Sequence, residues 1–220
     1  MLKCILFGSV IICSLCSSAQ VNVRDEPRHH NVFENEFVRI LDVHLGPNDT
    51  TLYHLHNTPS VFIIFTNTNV GSQLWGKQPQ KGANVSGIVD YDSIVIPRIH
   101  RVWNEDTSWF HVMDVELTNT KPKNNIAVLQ NTFLKLLFNE QQVNGYNVEL
   151  KPGNILEIPP SGNGSLLVSQ TESVIEYKIN EIIQHRILKP AHYIWVEAGQ
   201  HISLKPAGNK AVSFVLLQLK

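Results

Sequence analysis

The chain has 220 residues, with 18 Lys and Arg against 19 Asp and Glu and a formal net charge of −1 at neutral pH. This balance argues against a nucleic-acid-binding protein, which usually carries a basic excess, and against a peripheral membrane protein held by a basic amphipathic segment. Hydrophobic residues make up 43 % of the chain, as in ordinary folded proteins, and the length suits one large domain or two small ones.

Residues 1–19 have the pattern of a secretory signal peptide. A short basic start precedes an almost unbroken apolar run over residues 4–15, which is too short to span a bilayer, and small residues stand at −3 and −1 before Gln20. We therefore expect a mature chain that begins near Gln20 and is secreted or periplasmic. Two alternatives stay open: a buried N-terminal element, or a lipoprotein anchored through Cys13 or Cys16.

All three cysteines of the chain lie within this segment. The mature protein would therefore contain no disulfide, no cysteine nucleophile and no thiolate metal ligand.

The rest of the chain is dominated by short runs of β-branched and aromatic residues, separated by turn-forming residues. The pattern predicts strands over residues 37–45, 60–65 and 93–96, and one short helix around residues 126–137. Apolar strands are also predicted near the end of each half, over residues 111–117 and 214–219. Many short strands with frequent turns are typical of an all-β sandwich or barrel.

An internal repeat divides the chain into two similar halves. A shift of 105 positions places five apolar or proline residues of the first half on the same residue types in the second. A shift near 101 places Ser93–Ile96 and His100 on Tyr193–Val196 and His201. We therefore predict two homologous β modules, of residues 20–120 and 121–220. The residues aligned at the shift of 105 are Phe33, Val38, Val43, Leu45 and Pro47 with Phe138, Val143, Val148, Leu150 and Pro152.

His54-Leu55-His56 stands out among the ten histidines, because strand alternation places both imidazoles on one face. Two imidazoles held in this way, with a third from elsewhere, form a facial metal site with open positions. His100 is the candidate third ligand.

These residues resemble the two consensus motifs of the cupin superfamily, G-x5-H-x-H-x3,4-E-x6-G and G-x5-P-x-G-x-x-H-x3-N. Gly46 and His54-Leu55-His56 correspond to the first motif, and Pro97, His100 and Asn104 to the second. The resemblance implies an all-β fold of two cupin-like antiparallel barrel or jelly-roll modules. It also implies a divalent metal (Fe, Mn, Ni or Zn) held by His54, His56 and His100 inside the first.

The chain departs from the first motif at its glutamate, whose position is occupied by Ser60 or Val61. The site would then have three imidazoles, and Gln73 is a possible substitute for the missing ligand. A cupin fold that has lost its metal and keeps polar histidines in a pocket is the alternative.

Other histidines are given structural interpretations. The second half carries Pro159 and Ser161 in the aligned positions and keeps only His201, so we expect one site per chain. His29 and His30 are interpreted as part of a solvated lead segment. His44 is interpreted as a partly buried strand residue, and His111, in phase with Met113 and Val115, as a core residue.

The leading functional hypothesis is a metal-dependent small-molecule enzyme of oxygenase or isomerase type. The alternative is a non-catalytic protein that binds a small ligand such as a sugar or an organic acid. Three neutral imidazoles would leave the 2+ charge of the metal uncompensated, which favours an anionic ligand. We expect no nucleic-acid partner and no membrane span, and a homodimer is possible.

Overall fold

The structure is a computed structural model that describes residues 20–119 and 126–220. The predicted signal peptide, residues 1–19, lies outside the described residues. Residues 120–125, next to the predicted boundary between the modules, also lie outside them, so both assignments stay predictions. Apart from one 3₁₀ turn at Val23–Asp25, the regular elements of the described residues are β-strands. Within those residues, no helix is both long enough and apolar enough to span a membrane.

Residues 20–119 form two five-stranded sheets that face each other. One sheet has the order β1-β4-β9-β6-β7 and the other the order β2-β3-β10-β5-β8. The strands are β1 (Val21–Asn22), β2 (His29–Glu34), β3 (Val38–Leu45), β4 (His54–His56), β5 (Ser60–Ile64), β6 (Thr68–Leu74), β7 (Gln80–Asn84), β8 (Val89–Asp92), β9 (Arg98–Asn104) and β10 (Phe110–Leu117).

Residues 126–220 repeat this topology. Their five-stranded sheet has the order β11-β12-β19-β14-β17, and their four-stranded sheet the order β13-β18-β15-β16. The repeated order confirms the prediction of an all-β chain built from two antiparallel jelly-roll modules. The strands are β11 (Leu134–Asn139), β12 (Val143–Leu150), β13 (Leu156–Ile158), β14 (Ser165–Ser169), β15 (Ser173–Ile179), β16 (Ile182–Leu188), β17 (Tyr193–Val196), β18 (Ile202–Pro206) and β19 (Val212–Leu219).

The sheet of the first module that contains β3 and β10 packs against the five-stranded sheet of the second module through a shared hydrophobic core. Alternation along each strand sends one set of side chains into this core and the other set into the interior of its own module. Met113 and Val115 of β10 face the shared core, for example, whereas Val112 and Asp114 face the module interior. The buried members of the shared core are Val38, Ile40, Val61, Ile63, Met113, Val115, Leu117, Val143, Leu166, Val168, Ala191, Val215, Leu217 and Leu219.

The strand predicted over residues 93–96 is wrong. Ile94 has a φ of 44° and its N–H donates to Asp92 Oδ1 at 2.9 Å, so the chain turns here, and Val95 and Ile96 are exposed. The strand at this place in the topology is β8, four residues earlier. Its counterpart in the second half is β17, and the two are related by a shift of 104 rather than 101.

The helix predicted around residues 126–137 is also absent. Residues 126–133 have no regular structure, and Leu134–Asn139 forms β11, which pairs antiparallel with β12. The apolar residues of this short run fit a helical and an extended period about equally well. Pairing with β12 decides in favour of the strand. The equivalent pair in the first module is β2 with β3.

Candidate metal centre

The three histidines singled out by the motifs lie together inside the first module. His54 and His56 point inward from β4, and β4 pairs with β9 so that His54 stands directly opposite His100. The ring centroids of His54 and His56 are 5.0 Å apart, and that of His100 lies 4.6 Å and 4.9 Å from them. The structure therefore brings the three predicted ligands together, although metal binding by them stays a prediction.

A fourth imidazole joins the cluster from β2. His29 is 9 % exposed, and its ring centroid lies 4.7 Å from that of His54 and 6.5 Å from that of His56. One possible ligand atom from each of these three histidines lies within 4.8 Å of the other two. The interpretation of His29 as part of a solvated segment is therefore wrong.

Strand pairing explains the position of His29. β2 pairs with β3, and His29 lies opposite Val43, whose side chain faces the module interior. Adjacent residues of a strand point to opposite faces, so the neighbouring His30 is exposed. The signal in the sequence was the alternation of β2 itself, which its polar composition concealed.

Hydrogen bonds determine which nitrogen of two rings carries the proton. His54 Nδ1 lies 2.9 Å from the carbonyl oxygen of Leu52, which can only accept, so Nδ1 is the donor and Nε2 keeps its lone pair. His29 Nδ1 lies 2.8 Å from Glu26 Oε2. A carboxylate that binds the far nitrogen of a metal ligand orients the ring and makes it more basic, and Glu26 is placed for this role.

Glu26 is itself held as a carboxylate. Its side chain is buried, and it accepts the N–H groups of Arg28 at 2.7 Å and Leu52 at 3.1 Å in addition to His29. Burial raises the pKa of Glu26, but the hydrogen bonds from His29 and the two backbone groups outweigh this effect, and the pKa lies below its usual range. The cluster therefore has a negative charge behind it although the motif glutamate is missing.

Three of the inward imidazoles, those of His54, His56 and His100, are held neutral. Burial, followed by the neighbouring imidazole of His29, lowers the pKa of His54 to about 4. Burial and the neighbouring His54 lower the pKa of His100 to about 3, and burial and His100 lower that of His56 well below its usual range. Neutral imidazole is the form that binds metal ions.

Unsatisfied atoms mark the same place. His100 Nε2 and His56 Nδ1 are buried, and neither has a hydrogen-bond partner within residues 20–119 and 126–220. Buried polar atoms without partners are costly and usually satisfied by water or an ion. A divalent metal ion, for which imidazole nitrogen is a common ligand, fits this donor set.

No carboxylate lies where the motif would place one. Ser60 is buried, and Val61 faces the core shared by the two modules. Gln73 is also wrong as a substitute, because its Oε1 accepts from Tyr53 at 2.6 Å and Arg101 at 2.8 Å, and its Nε2 donates to the Lys77 carbonyl at 2.9 Å. These bonds hold the side chain away from the imidazole cluster.

The neighbouring acid is instead Asp114, on β10. It is fully buried, and its Oδ2 lies 3.7 Å from His56 Nδ1. Burial, with a smaller effect of the Glu116 charge, raises the pKa of Asp114 to about 8. At neutral pH this carboxyl group is therefore largely protonated in the metal-free protein.

The imidazole cluster opens into a cavity of about 270 Å³ between the two sheets. Apolar side chains from β3, β5 and β10 form the opposite wall, and Arg98 supplies a positive charge. Arg98 forms an ion pair with Asp92, while its Nε is buried without a partner among the described residues. The opposite apolar wall consists of Val43, Leu45, Phe62, Ile64, Phe110 and Val112, while Val70 and Val102 line the cavity from the sheet that carries His54 and His100.

The second module has the same strands without this chemistry. β13 and β18 take the places of β4 and β9, and Leu156 pairs with Leu204 where His54 pairs with His100. Ile158 stands in the place of His56. The structural equivalents of His54 and His56 are therefore three residues earlier than Pro159 and Ser161, the residues that the sequence repeat aligns with them. His201 precedes β18 and forms an exposed ion pair with Glu157 at 3.0 Å.

Comparisons with solved structures agree with this architecture, whereas no protein-family model and no curated protein matches the sequence. Protein Ylba of E. coli is similar with a TM-score of 0.62 and 11 % identity, over 88 % of this chain and 85 % of that one. A salicylate 1,2-dioxygenase of Pseudaminobacter salicylatoxidans gives 0.60 and 11 %, over 83 % and 71 %. A cupin 2 conserved barrel domain protein of Leptotrichia buccalis gives 0.56 and 10 %, over 87 % and 88 %. The resemblance first seen in two short motifs is thus confirmed at the level of structure: the chain has the fold of the cupin superfamily.

Proposed function

We propose that the first module is the metal centre of an exported small-molecule enzyme and that His29, His54, His56 and His100 are the ligands. The observation that carries the proposal is a set of inward imidazoles, held neutral and left with unsatisfied nitrogen atoms, at the wall of a cavity. The likeness to a dioxygenase of the same fold supports metal-dependent chemistry.

A bound divalent ion would supply Lewis-acid or O₂-activating chemistry at this place. The protein would supply the rest. The apolar wall opposite the imidazoles would bind the body of a small substrate and exclude water from it. Asp114 would hold a proton on a carboxyl oxygen beside His56, which provides the proton-transfer group that an enzyme site requires.

The substrate class that fits best is a small organic acid with an apolar body. Arg98 lies at the cavity and has a guanidinium N–H without a partner, so it can donate to a carboxylate. Because the proposed ligands include no carboxylate, an anionic substrate would also compensate the charge of the metal. Zn, Fe, Mn and Ni all remain candidates.

The second candidate function is a non-catalytic receptor for such an acid. The same cavity and the same Arg98 would bind the ligand, and Asp114 would only fill space beside His56. The two candidates differ in one result: a receptor would bind the acid in the presence of metal and release it unchanged.

Metal analysis of the protein as purified, without added metal, tests the proposal. We expect His29→Ala, His54→Ala, His56→Ala and His100→Ala each to remove about one bound ion per chain, and His185→Ala, an exposed histidine of β16, to remove none. Equal metal content in all five variants would contradict the proposal. Incubation of the loaded protein with a panel of small aromatic and aliphatic acids would then separate turnover from simple binding.

Export is a separate part of the proposal and rests on residues 1–19 alone. N-terminal sequencing of the protein from its natural host should find Gln20, or a residue close to it, at the start of the mature chain. A mature protein that begins at Met1 would contradict export through this segment.

A further inference from the structure

A second group of metal-binding side chains lies on the opposite face of the sheet that carries His29. Asp42 and His44 point outward from β3, and His111 points outward from β10, directly opposite His44. One possible ligand atom from each of the three residues lies within 4.8 Å of the other two. We call this group the outer cluster, in contrast to the inner cluster of His29, His54, His56 and His100.

The carboxylate of Asp42 contacts both imidazoles of the outer cluster. Asp42 Oδ2 lies 3.0 Å from His44 Nε2, and Asp42 Oδ1 lies 2.7 Å from His111 Nε2. The two imidazole rings are stacked, with centroids 3.9 Å apart and planes inclined by 26°. Metal–ligand bonds of about 2.0–2.2 Å to nitrogen and oxygen place neighbouring ligand atoms roughly 3 Å apart. The observed separations are those of hydrogen bonds between Asp42 and each imidazole, and they are close to this value.

The cluster can be reached from solvent. The side chains of Asp42, His44 and His111 are 23 %, 35 % and 15 % exposed. Asp42 also lines a cleft of about 580 Å³ whose other wall, which includes Tyr193 and His192, belongs to the second module. An ion could thus enter without a change of the fold.

A further imidazole lies beside the cluster. His30 is the register partner of Asp42 across β2 and β3, and it is exposed. Residues that face each other across two strands have Cβ atoms about 5 Å apart, which is within the reach of an imidazole. Of the adjacent pair, His29 therefore lies on the face of the inner cluster and His30 on the face of the outer cluster.

We propose that Asp42, His44 and His111 form a second, independent binding site for a divalent transition-metal ion, for which Zn²⁺ is the reference ion, with His30 as a fourth ligand. One carboxylate and two or three imidazoles are a common donor set for Zn²⁺. Asp42 compensates one unit of the ion's charge, whereas the ligands proposed for the inner cluster are all imidazoles. The alternative is a hydrogen-bonded network of Asp42 with two histidines and no ion.

Zn²⁺ titration of the full chain, by calorimetry and by equilibrium dialysis, tests the proposal. The double variant His54→Ala/His56→Ala isolates the outer cluster and should still bind one ion per chain. In that background we expect Asp42→Asn, His44→Ala and His111→Ala each to weaken binding at least tenfold, and His30→Ala to weaken it by a smaller factor. His201→Ala is the matched control, because it removes an imidazole that pairs with a single carboxylate, Glu157, and it should change nothing.

Cu²⁺ bound to the double variant adds a readout that does not depend on affinity. Its electron paramagnetic resonance spectrum should show coupling to two or three imidazole nitrogens, and to one fewer in His44→Ala. Circular dichroism of each variant checks that the sheet is intact.

The outcomes for the two clusters are separable. If the double variant binds no Zn²⁺, or binds it equally well after Asp42→Asn and His44→Ala, the outer site is overturned whatever the inner cluster does. Suppose instead that His44→Ala, made in the native chain, removes the bound ion, while the double variant keeps it. The outer site then stands, and the proposed function of the inner cluster fails.

Discussion

The two modules share a strand order, but the interior of the first is lined by imidazoles and that of the second by apolar side chains. In the first, β4 and β9 carry imidazoles that face a cavity; in the second, β13 and β18 carry Leu156 and Leu204 inside a packed core. The jelly roll therefore does not need a polar centre, and the second module closes the same space with apolar side chains. Because neutral polar atoms buried without partners cost stability, the first module's interior is better explained by binding than by folding.

The most direct test of this comparison replaces the three histidines of β4 and β9 with the apolar side chains that the second module has or would accept at these places. The triple variant His54→Leu/His56→Ile/His100→Leu should lower the affinity of the inner cluster for metal by more than about 100-fold, because removal of ligands costs more than removal of their supporting groups. Measured without metal, its melting temperature should equal or exceed that of the native chain. A triple variant that still binds metal as tightly at the inner cluster would contradict the assignment.

In the second module, loss of an interior side chain should lower stability and leave metal affinity unchanged. Leu204→Ala should lower the free energy of unfolding by about 2–5 kcal/mol, because it leaves a cavity in a close-packed core. Its metal affinity should be unchanged. Urea unfolding of the metal-free protein measures the first quantity, and metal titration of the folded protein measures the second. His100→Ala, at the equivalent place, should show the opposite pattern.

Glu26 provides a test of the charge behind the inner cluster. Glu26→Gln keeps the size of the side chain but removes the charge that His29 Nδ1 contacts, and loss of such a partner typically lowers metal affinity by about 10–100-fold. Glu34→Gln is the matched control, because Glu34 lies in the same N-terminal region and pairs with Arg39 and Asn31 rather than with an imidazole. If both variants bind metal alike, Glu26 has no role at the site.

The smallest expected effect is a pH dependence of stability confined to the first module. The pKa of His54 is about 4 and that of His100 about 3 in the folded chain, against 6.5 as the ordinary value. Between these values the unfolded chain binds more protons at both imidazoles, which together outweigh the opposite effect of the raised pKa of Asp114. The metal-free protein should therefore lose stability as pH falls below about 6.5.

The slope should not exceed about 1.4 kcal/mol per pH unit for each imidazole. Urea unfolding of the native chain and of the triple variant, from pH 7 to pH 4, measures it. The triple variant should show a smaller loss, and equal slopes would show that these imidazoles are not buried as described.

Much of the fold and part of the site could be predicted from the residue pattern. The predicted strand at residues 37–45 corresponds to β3, and the predicted terminal strands correspond to β10 and β19. Strand alternation alone placed His54 and His56 on one face. These predictions succeed because they depend on neighbours two residues apart, which every strand holds in the same geometry.

The two errors of secondary structure have different causes. Residues 93–96 are as apolar as a strand, yet Asp92 binds the N–H of Ile94 and turns the chain. The segment that begins at Leu134 extends because β12 offers it hydrogen bonds. The first cause is local, because Asp92 lies two residues before Ile94, whereas only tertiary structure could show the pairing with β12.

The sequence by itself determined the repeat of two β-rich halves and the His-x-His pair. The first is a similarity between two segments of the chain, and the second is short-range strand alternation. The tertiary structure decided the composition of the site. Pairing of β2 with β3 turned His29 inward to the imidazoles of β4 and β9, and it left His30 beside Asp42 on the outer face. Pairing of β3 with β10 brought His44 to His111, which lies 67 residues away in the chain. Such contacts depend on register between distant strands, a property that the residues of one strand do not contain.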